Sequence, residues 1–469
     1  MQDSQVCSPD FVRQTLVVAI DLPNLQFQLV LVNLGRWLRY FSMMAFLKRL
    51  NRSALRKWLV MALVSFLAGF LYCAVQPILP TAASPQTKVF EQVWQTVNQN
   101  FYDPKFNGVN WQAMRQKYVA QAEQAQSPQA FAAVVNQMLA ELQASHTRFY
   151  TAAETEYYQL AGIFRQGILR SLRPFLPNGK LEYTGIGIYT RDSGENTFIR
   201  AILDGSPAQQ AGLKVGDRIL SVDGKPFQAV QSFVGKAGQL VQIQIQRTPD
   251  VAPVEIAVTP KVFDPATMFL DAMKASVEVI ERNNHRIGYI HVWSYADPIY
   301  QQQLERELSS DRLGNVDGLI WDLRDGWGGA NPTYLNPFAA PAPELIFIDR
   351  DGDRSSSSLP WRKPVVMLVN QGSRSGKEIL AYAFRKYRVG KIVGSKTAGA
   401  VLAGRAFIMQ DGSLLYLAVA DVLVDGKRLE GEGISPDRSV PFPIEYAQGN
   451  DPQKQQAIQT MLQTLQAPN

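Results

Sequence analysis

PVVMLVNQGSRSGKEILAYAFRKYR, residues 364–388, decides the fold. Its first seven residues, PVVMLVN, form a continuous apolar run that predicts a strand buried on both faces. Beyond Ser375, residues Ile379, Leu380, Ala383 and Phe384 put apolar side chains on one side of a helix. Between strand and helix lies QGSRSG, a turn rich in Gly and Ser. Such a turn lifts a small side chain clear of the backbone and aims free helix N-terminal amides beside it. That arrangement suits a serine nucleophile with an oxyanion site next to it. It also suits a plain turn with a helix-capping serine, so the rest of the chain must decide between them.

On either side the pattern continues as helix alternating with apolar strand. RIGYIHVW (286–293), DGLIWDLR (317–324) and KIVGS (391–395) read as central strands, with YQQQLERELSS (300–310) as a helix between the first two. This predicts a βαβ-rich α/β core over residues 263–446. LLYLAVADVLV (414–424) adds a strand or hairpin, and PQKQQAIQTMLQTLQ (452–466) reads as an amphipathic helix within a closing segment, 447–469. Upstream, residues 181–262 change texture to short strands around one helical piece, SPAQQAGL (206–213). Residues 85–180 read as a helical segment. Phe90, Val93, Trp94 and Val97 give one stripe, Trp111, Met114 and Tyr118 a second, and Phe131, Val134, Val135, Met138, Leu139 and Leu142 a third. The third helix runs into Ser145-His146, and 151–180 reads as a polar and aromatic linker.

Composition removes several functions. Of the net charge of +6, nearly all lies in residues 1–57, which hold eight Lys/Arg against three Asp/Glu. The remainder is close to neutral, so no polyanionic partner such as nucleic acid is called for. The two cysteines, Cys7 and Cys73, fall outside the predicted globular part, and His146, His285 and His291 have no ligand spacing. No metal or other cofactor is expected. Residues 1–84 read as an N-terminal extension plus a leader, which starts in the usual way if translation opens at Met43 or Met44. Lys48, Arg49, Arg52, Arg56 and Lys57 form a basic flank, Trp58–Val75 is uncharged and apolar, and Thr81-Ala82-Ala83 offers a cleavage site. The run has the length of either a secretory signal or a single membrane anchor. Either places the chain beyond residue 84 outside the cytoplasm, on a periplasmic or lumenal side.

Specific runs carry a resemblance. GIGI (185–188) and GSPAQQAGLKVGDRILSVDG (205–224) resemble a PDZ domain, with Gly185, Ile186, Gly187 and Ile188 in place of its carboxylate-binding loop. DLRDGWGG (322–329), GSRSGKEI (372–379) and EGEGISPD (430–437) follow in that order. Together with the leader, helical segment and PDZ domain, they resemble the carboxyl-terminal processing, or tail-specific, serine peptidases. The resemblance implies a ClpP/crotonase-like α/β core with an N-terminal helical cap and an inserted PDZ domain. It implies Ser375 as nucleophile, with the amides of Gly376 and of Gly328 or Gly329 as oxyanion donors. Protein or peptide substrates with free C-termini would be the partners. The best-known branch of the family uses a lysine as base, but the corresponding position here is Ala400. A second branch, similar to the tricorn core, carries a Ser-His dipeptide where this chain has Ser145-His146. It implies His146 as general base, supported by Ser145 and Glu430, with Glu432 as the neighbouring alternative. A neutral imidazole with an ordinary pKa near 6.5 would accept the serine proton. Lys396 and Lys377 stand as other candidate bases. His291 reads as structural and His285 as a surface turn residue. Lys377, a cation at the helix start, keeps open a peptidase-like PDZ scaffold without turnover.

Overall fold

The computed structural model describes residues 84–309, 311–339 and 361–467, the strand pair Ile346–Ile348 and Arg354–Ser356, and Met61. Apart from Met61, the leader and the extension before it lie outside the described residues.

Three helices open the described part: α1 (Pro85–Asn100), α2 (Trp111–Glu123) and α3 (Pro128–Ala140). Ser84, Asn110 and Ser127 cap them, each accepting a backbone N–H with its side chain. Their apolar stripes meet in one cluster that also takes in Leu402, Leu415 and Leu417 from far along the chain. β1 (Arg148–Tyr150) runs antiparallel to Leu414–Ala420. The turn carrying Ser145 and His146 is therefore held between a cap helix and a strand of the C-terminal half. The stretch read as a linker folds instead as α4 (Thr155–Ile163) and α5 (Arg165–Leu172). Tyr157, Tyr158, Leu160 and Ala161 are all buried there, so α4 is covered on several sides and shows no amphipathic stripe to read.

β2 (Tyr183–Gly185) pairs with β8 (Lys261–Phe263) and closes the base of the next layer. Between them β3 (Ile188–Ser193), β4 (Asn196–Ile202), β5 (Arg218–Val222), β6 (Val241–Gln246) and β7 (Val254–Val258) form a five-stranded antiparallel sheet in sequence order. β3 is thus an edge strand. The sheet has its own small core around Ile199, Phe233, Ile243 and Ile245.

After α6 (Met268–Ala275) comes a six-stranded sheet, built from β9 (Glu278–Arg282), β10 (His285–His291), β11 (Gly318–Asp322), β12 (Val365–Val369), β13 (Gly390–Gly394) and β16 (Arg438–Ser439). Its order is β16-β13-β12-β11-β10-β9, parallel throughout except for the β9 edge. α7 (Pro298–Ser309) crosses between β10 and β11, and α8 (Gly376–Lys386) between β12 and β13. β12 explains why its sequence lacks alternation. Val365, Met367 and Val369 pack into the cluster holding Leu380 and Phe384 of α8. Val366 and Leu368 pack on the other face, against Ala457 and Met461 of α9 (Pro452–Gln466). A further pair, β14 (Ala403–Ile408) and β15 (Leu414–Ala420), lies outside this sheet and joins β1. In an open parallel sheet, functional loops gather beyond the C-terminal strand ends. Here those loops are 323–330, 370–376 and 395–402.

Candidate active site

Ser375 follows β12 and sits at the cap position of α8, with φ 56° and ψ −129°. This backbone is strained for a residue with a side chain, at a cost of about 1–3 kcal/mol. Its hydroxyl makes no capping hydrogen bond, so the plain helix-cap reading of this turn fails. The turn is braced from below. Asn370 N–H donates to Ser373 Oγ at 3.0 Å, Gly372 N–H to Asn370 Oδ1 at 2.9 Å, and Ser373 Oγ–H to the Leu323 carbonyl at 2.9 Å.

The glycine loop lies directly against it. A Cβ on Gly328 would stand 2.5 Å from Ser375 Cβ and 3.0 Å from Gly376 N, so only glycine lets the two backbones approach this closely. Gly329 (φ +93°) packs instead on Tyr295 and Ala296. Among the described residues, the N–H groups of Gly376, Gly328 and Gly329 make no hydrogen bond. Of the two loop glycines, Gly328 is the one in contact with Ser375.

His146 arrives from the helical cap in a left-handed turn, φ 55°. Ser145 Oγ donates to Glu430 Oε2 at 2.9 Å and lies 2.9 Å from His146 Nδ1, while Ser145 N–H donates to Glu430 Oε1 at 3.0 Å. Glu430 Oε2 also accepts from the N–H groups of Val401 (2.7 Å) and Leu402 (3.2 Å). One residue earlier, the Ala400 carbonyl accepts from Ser375 N–H at 2.8 Å. The Glu430–Ser145–His146 chain and the nucleophile turn are thus fastened to neighbouring residues of one loop. No hydrogen bond joins the Ser375 hydroxyl to His146 among the described residues.

The electrostatics depart from the sequence expectation for the base. Loss of solvation, helped by the Arg374 charge, pushes the His146 imidazole down to about 4, with Glu430 opposing. The ring is therefore neutral at pH 7. Sequence reasoning assumed an ordinary imidazole because burial is not visible in a dipeptide.

The other candidates are set apart. Lys377 is fully buried, and Nζ donates to the carbonyls of Asp325 (2.7 Å) and Trp293 (3.2 Å). Burial pushes its pKa down to about 7. It points into the core beneath the glycine loop, where these two carbonyls accommodate a lysine at this helix start. Lys396 and Glu432 are exposed. His291 is buried, with Nε2–H donating to the Arg324 carbonyl at 2.9 Å, and its ring lies 4.0 Å from that of Trp293. It is structural. His285 opens β10, half-buried near Asp317.

Two groups were missed from the sequence. Glu378, buried one turn into α8, accepts from Thr397 Oγ1 (2.6 Å), Gly399 N–H (2.7 Å) and Ala400 N–H (2.7 Å). Asp325, in the glycine loop, is paired with Arg200 of β4. Only their spacing from Ser375 and from the Asp-Leu-Arg run signalled them.

In the loop resembling a PDZ carboxylate site, the N–H groups of Ile186 and Gly187 make no hydrogen bond among the described residues. Gly187 has φ +81°, and a Cβ there would run into Ser206. Ile188 begins the β3 edge, and Gly185 is paired with Lys261.

A strained serine at a strand-to-helix turn, with unpaired amides from two glycine loops beside it, has the geometry that a serine-type peptidase requires. Comparison with known proteins gives the class of the chain. Peptidase family S41 matches residues 286–440, the tricorn protease C1 domain 86–140, and a PDZ domain 198–247. A carboxyl-terminal-processing protease of Synechocystis sp. is 26% identical over 403 residues, covering 83% of this chain and 88% of its own. One from Picosynechococcus sp. is 28% identical over 378 residues, covering 76% and 84%. The solved photosystem II D1 C-terminal processing protease is 22% identical, with a TM-score of 0.46, covering 79% of this chain and 98% of that one. Over residues 286–440 the chain matches peptidase family S41, and together with the PDZ match and these relatives this makes it a PDZ-containing serine-type peptidase similar to the carboxyl-terminal processing proteases.

Proposed function

We propose that this peptidase uses Ser375 as nucleophile and His146 as general base, in the manner of the Ser-His branch of its family. The observation that carries this reading is the Glu430–Ser145–His146 hydrogen-bond chain. Glu430, as a carboxylate, has no proton to give, so the single Ser145 proton goes to it. Ser145 Oγ must then accept from His146 Nδ1–H, which leaves the lone pair on Nε2. His146 Nε2 takes the Ser375 proton as Oγ attacks the peptide carbonyl, then returns it to the leaving amine. Glu430, through Ser145, holds the ring and stabilises its cation. Gly376 N–H and Gly328 N–H receive the oxyanion. The Ser375–His146 hydrogen bond forms with substrate in place, as such bonds are often long before substrate binds.

The substrates are proteins whose C-termini enter the 185–188 loop, with the peptide added along the β3 edge. The free amides at Ile186 and Gly187 support this. The reaction takes place outside the cytoplasm, a placement that rests on the basic flank and apolar run at 48–75. Among the described residues, no helix is long and apolar enough to cross a membrane.

A serine-reactive fluorophosphonate and a fluorogenic peptide test the chemistry. Wild type should label at Ser375 and cleave. Ser375→Ala should do neither. His146→Ala should keep its fold and lose hydrolysis by roughly a thousandfold or more, whereas Lys396→Ala should retain it. Cleavage untouched by His146→Ala would overturn the histidine assignment. Binding of a free C-terminal peptide but not of its amide, measured by calorimetry, tests the PDZ loop.

A further inference from the structure

Arg374 stands one residue before the nucleophile, and its charge is left over. Its guanidinium carbon lies 5.4 Å from the centre of the Trp327 ring. Trp327 meets Tyr416 edge-on with ring centres 6.4 Å apart, and Tyr416 lies 5.1 Å from the His146 ring. Guanidinium and imidazole thus share one aromatic wall. The hydrogen bond described for Arg374 is a long one, from Nε–H to the Gly372 carbonyl at 3.4 Å. No carboxylate among the described residues pairs with it. Its neighbours are matched: Arg200 by Asp325, Arg324 by Asp322 and Asp451, and Lys377 by two carbonyls. The side chain is only half-buried, so its charge is open to solvent beside the residues that flank Ser375.

We propose that Arg374 reads the substrate: it binds a carboxylate next to the scissile bond. The enzyme would then prefer peptides with Asp or Glu, or a free C-terminal carboxylate, within two residues of the cut. The planar guanidinium fork matches a carboxylate bidentately. The Trp327 ring face holds the cation in place. The inference rests on the Ser375–His146 reading, since it assumes where the reacting carbonyl sits.

The test uses the full chain and matched fluorogenic peptides carrying Glu, Gln or Lys at each of the two positions on either side of the cut. A second set places a free or an amidated C-terminus one or two residues beyond it. At one position kcat/KM should favour Glu over Gln by roughly tenfold or more. If the carboxylate read is the terminal one, the free acid should instead be favoured over the amide. The preference should vanish in Arg374→Gln and turn toward Lys in Arg374→Glu. Ratios within one variant are unaffected by its absolute activity. Should either variant fail to fold, the wild-type preference must weaken from low to high salt, as a charge contact requires. Equal cleavage of acidic and neutral peptides by wild type, or a preference that survives Arg374→Gln, overturns the proposal and leaves the Ser-His reading intact. A wild type that neither cleaves nor labels at Ser375 overturns the reading beneath, and this one with it.

Discussion

Ser145 has one hydroxyl proton, and where it goes sets the state of the proposed base, His146. In the proposed mechanism that proton goes to Glu430, so His146 carries its own on Nδ1, while loss of solvation holds the ring neutral. A group depressed to about 4 is fully deprotonated at pH 6. The acid limb of kcat/KM should therefore fall near pH 4 rather than near 6.5, as a pH–rate profile on a neutral peptide will show. Glu430→Gln removes the charge that opposes this depression and frees the Ser145 proton from its assignment. It should lower kcat by about a hundredfold or more and move the limb further down; a limb that stays in place would mean that Glu430 does not act through the imidazole. Lys377 makes a second residue-scale prediction. Its folded pKa is about 7, well below the ordinary lysine value. Between about pH 7 and 10 the unfolded chain binds the extra proton, so this lysine makes stability rise with pH. Lys377→Met has no such proton. The stability of wild type relative to Lys377→Met should climb across that window in urea melts, and a flat difference would show that the buried amine keeps its charge.

At the scale of the element, the loop 397–402 is held by two carboxylates in succession. Glu378 takes the N–H groups of Gly399 and Ala400, and Glu430 takes those of Val401 and Leu402. Between them the Ala400 carbonyl receives Ser375 N–H. Ala400 holds the position to which the family resemblance assigns a lysine base, and here that position contributes only backbone. Glu378→Ala strips three hydrogen bonds from a fully buried site. It should cost about 2–4 kcal/mol of stability, with faster amide hydrogen exchange at Gly399 and Ala400 than at Val401. Equal protection at all three would mean that the loop is held some other way. Little of this was readable beforehand. β12, α8 and α9 were legible because an apolar run, or a 3.6-residue stripe, records which side of an element is covered. Ser145, His146 and Glu430 were legible through the family resemblance, since their spacing says nothing of contacts across nearly 300 residues. α4 was not legible, because Tyr157, Tyr158, Leu160 and Ala161 bury several sides of one short helix and erase its period. Glu378 and Asp325 read as ordinary charges on a helix and a loop. Their roles depend on backbone amides and an arginine that only the folded chain brings to them.

Across the whole molecule, the antiparallel sheet of β3–β7 is fastened to the α/β core at the glycine loop itself. Trp293 Nε1–H donates to Asp204 at 2.9 Å, and Tyr189 stacks on the Trp293 ring at 5.8 Å. Arg200 pairs with Asp325, whose carbonyl receives the Lys377 amine and whose side chain is bonded to Asn370 below the nucleophile turn. Asp325 is only 11% exposed, so its carboxylate depends on Arg200 for compensation. Arg200→Met should therefore cost about 1–3 kcal/mol of stability and lower cleavage of a short peptide, although Arg200 lies in another sheet from Ser375. Asp325→Asn keeps the hydrogen bond with Asn370 while removing the charge. In the double variant no charge is left stranded, so it should be more stable than Arg200→Met alone. Urea melts and peptide kinetics on the two singles and the double measure the coupling directly. If the single effects simply add, Asp325 does not rely on Arg200, and the β3–β7 sheet is tethered to the core without bearing on the geometry of the glycine loop.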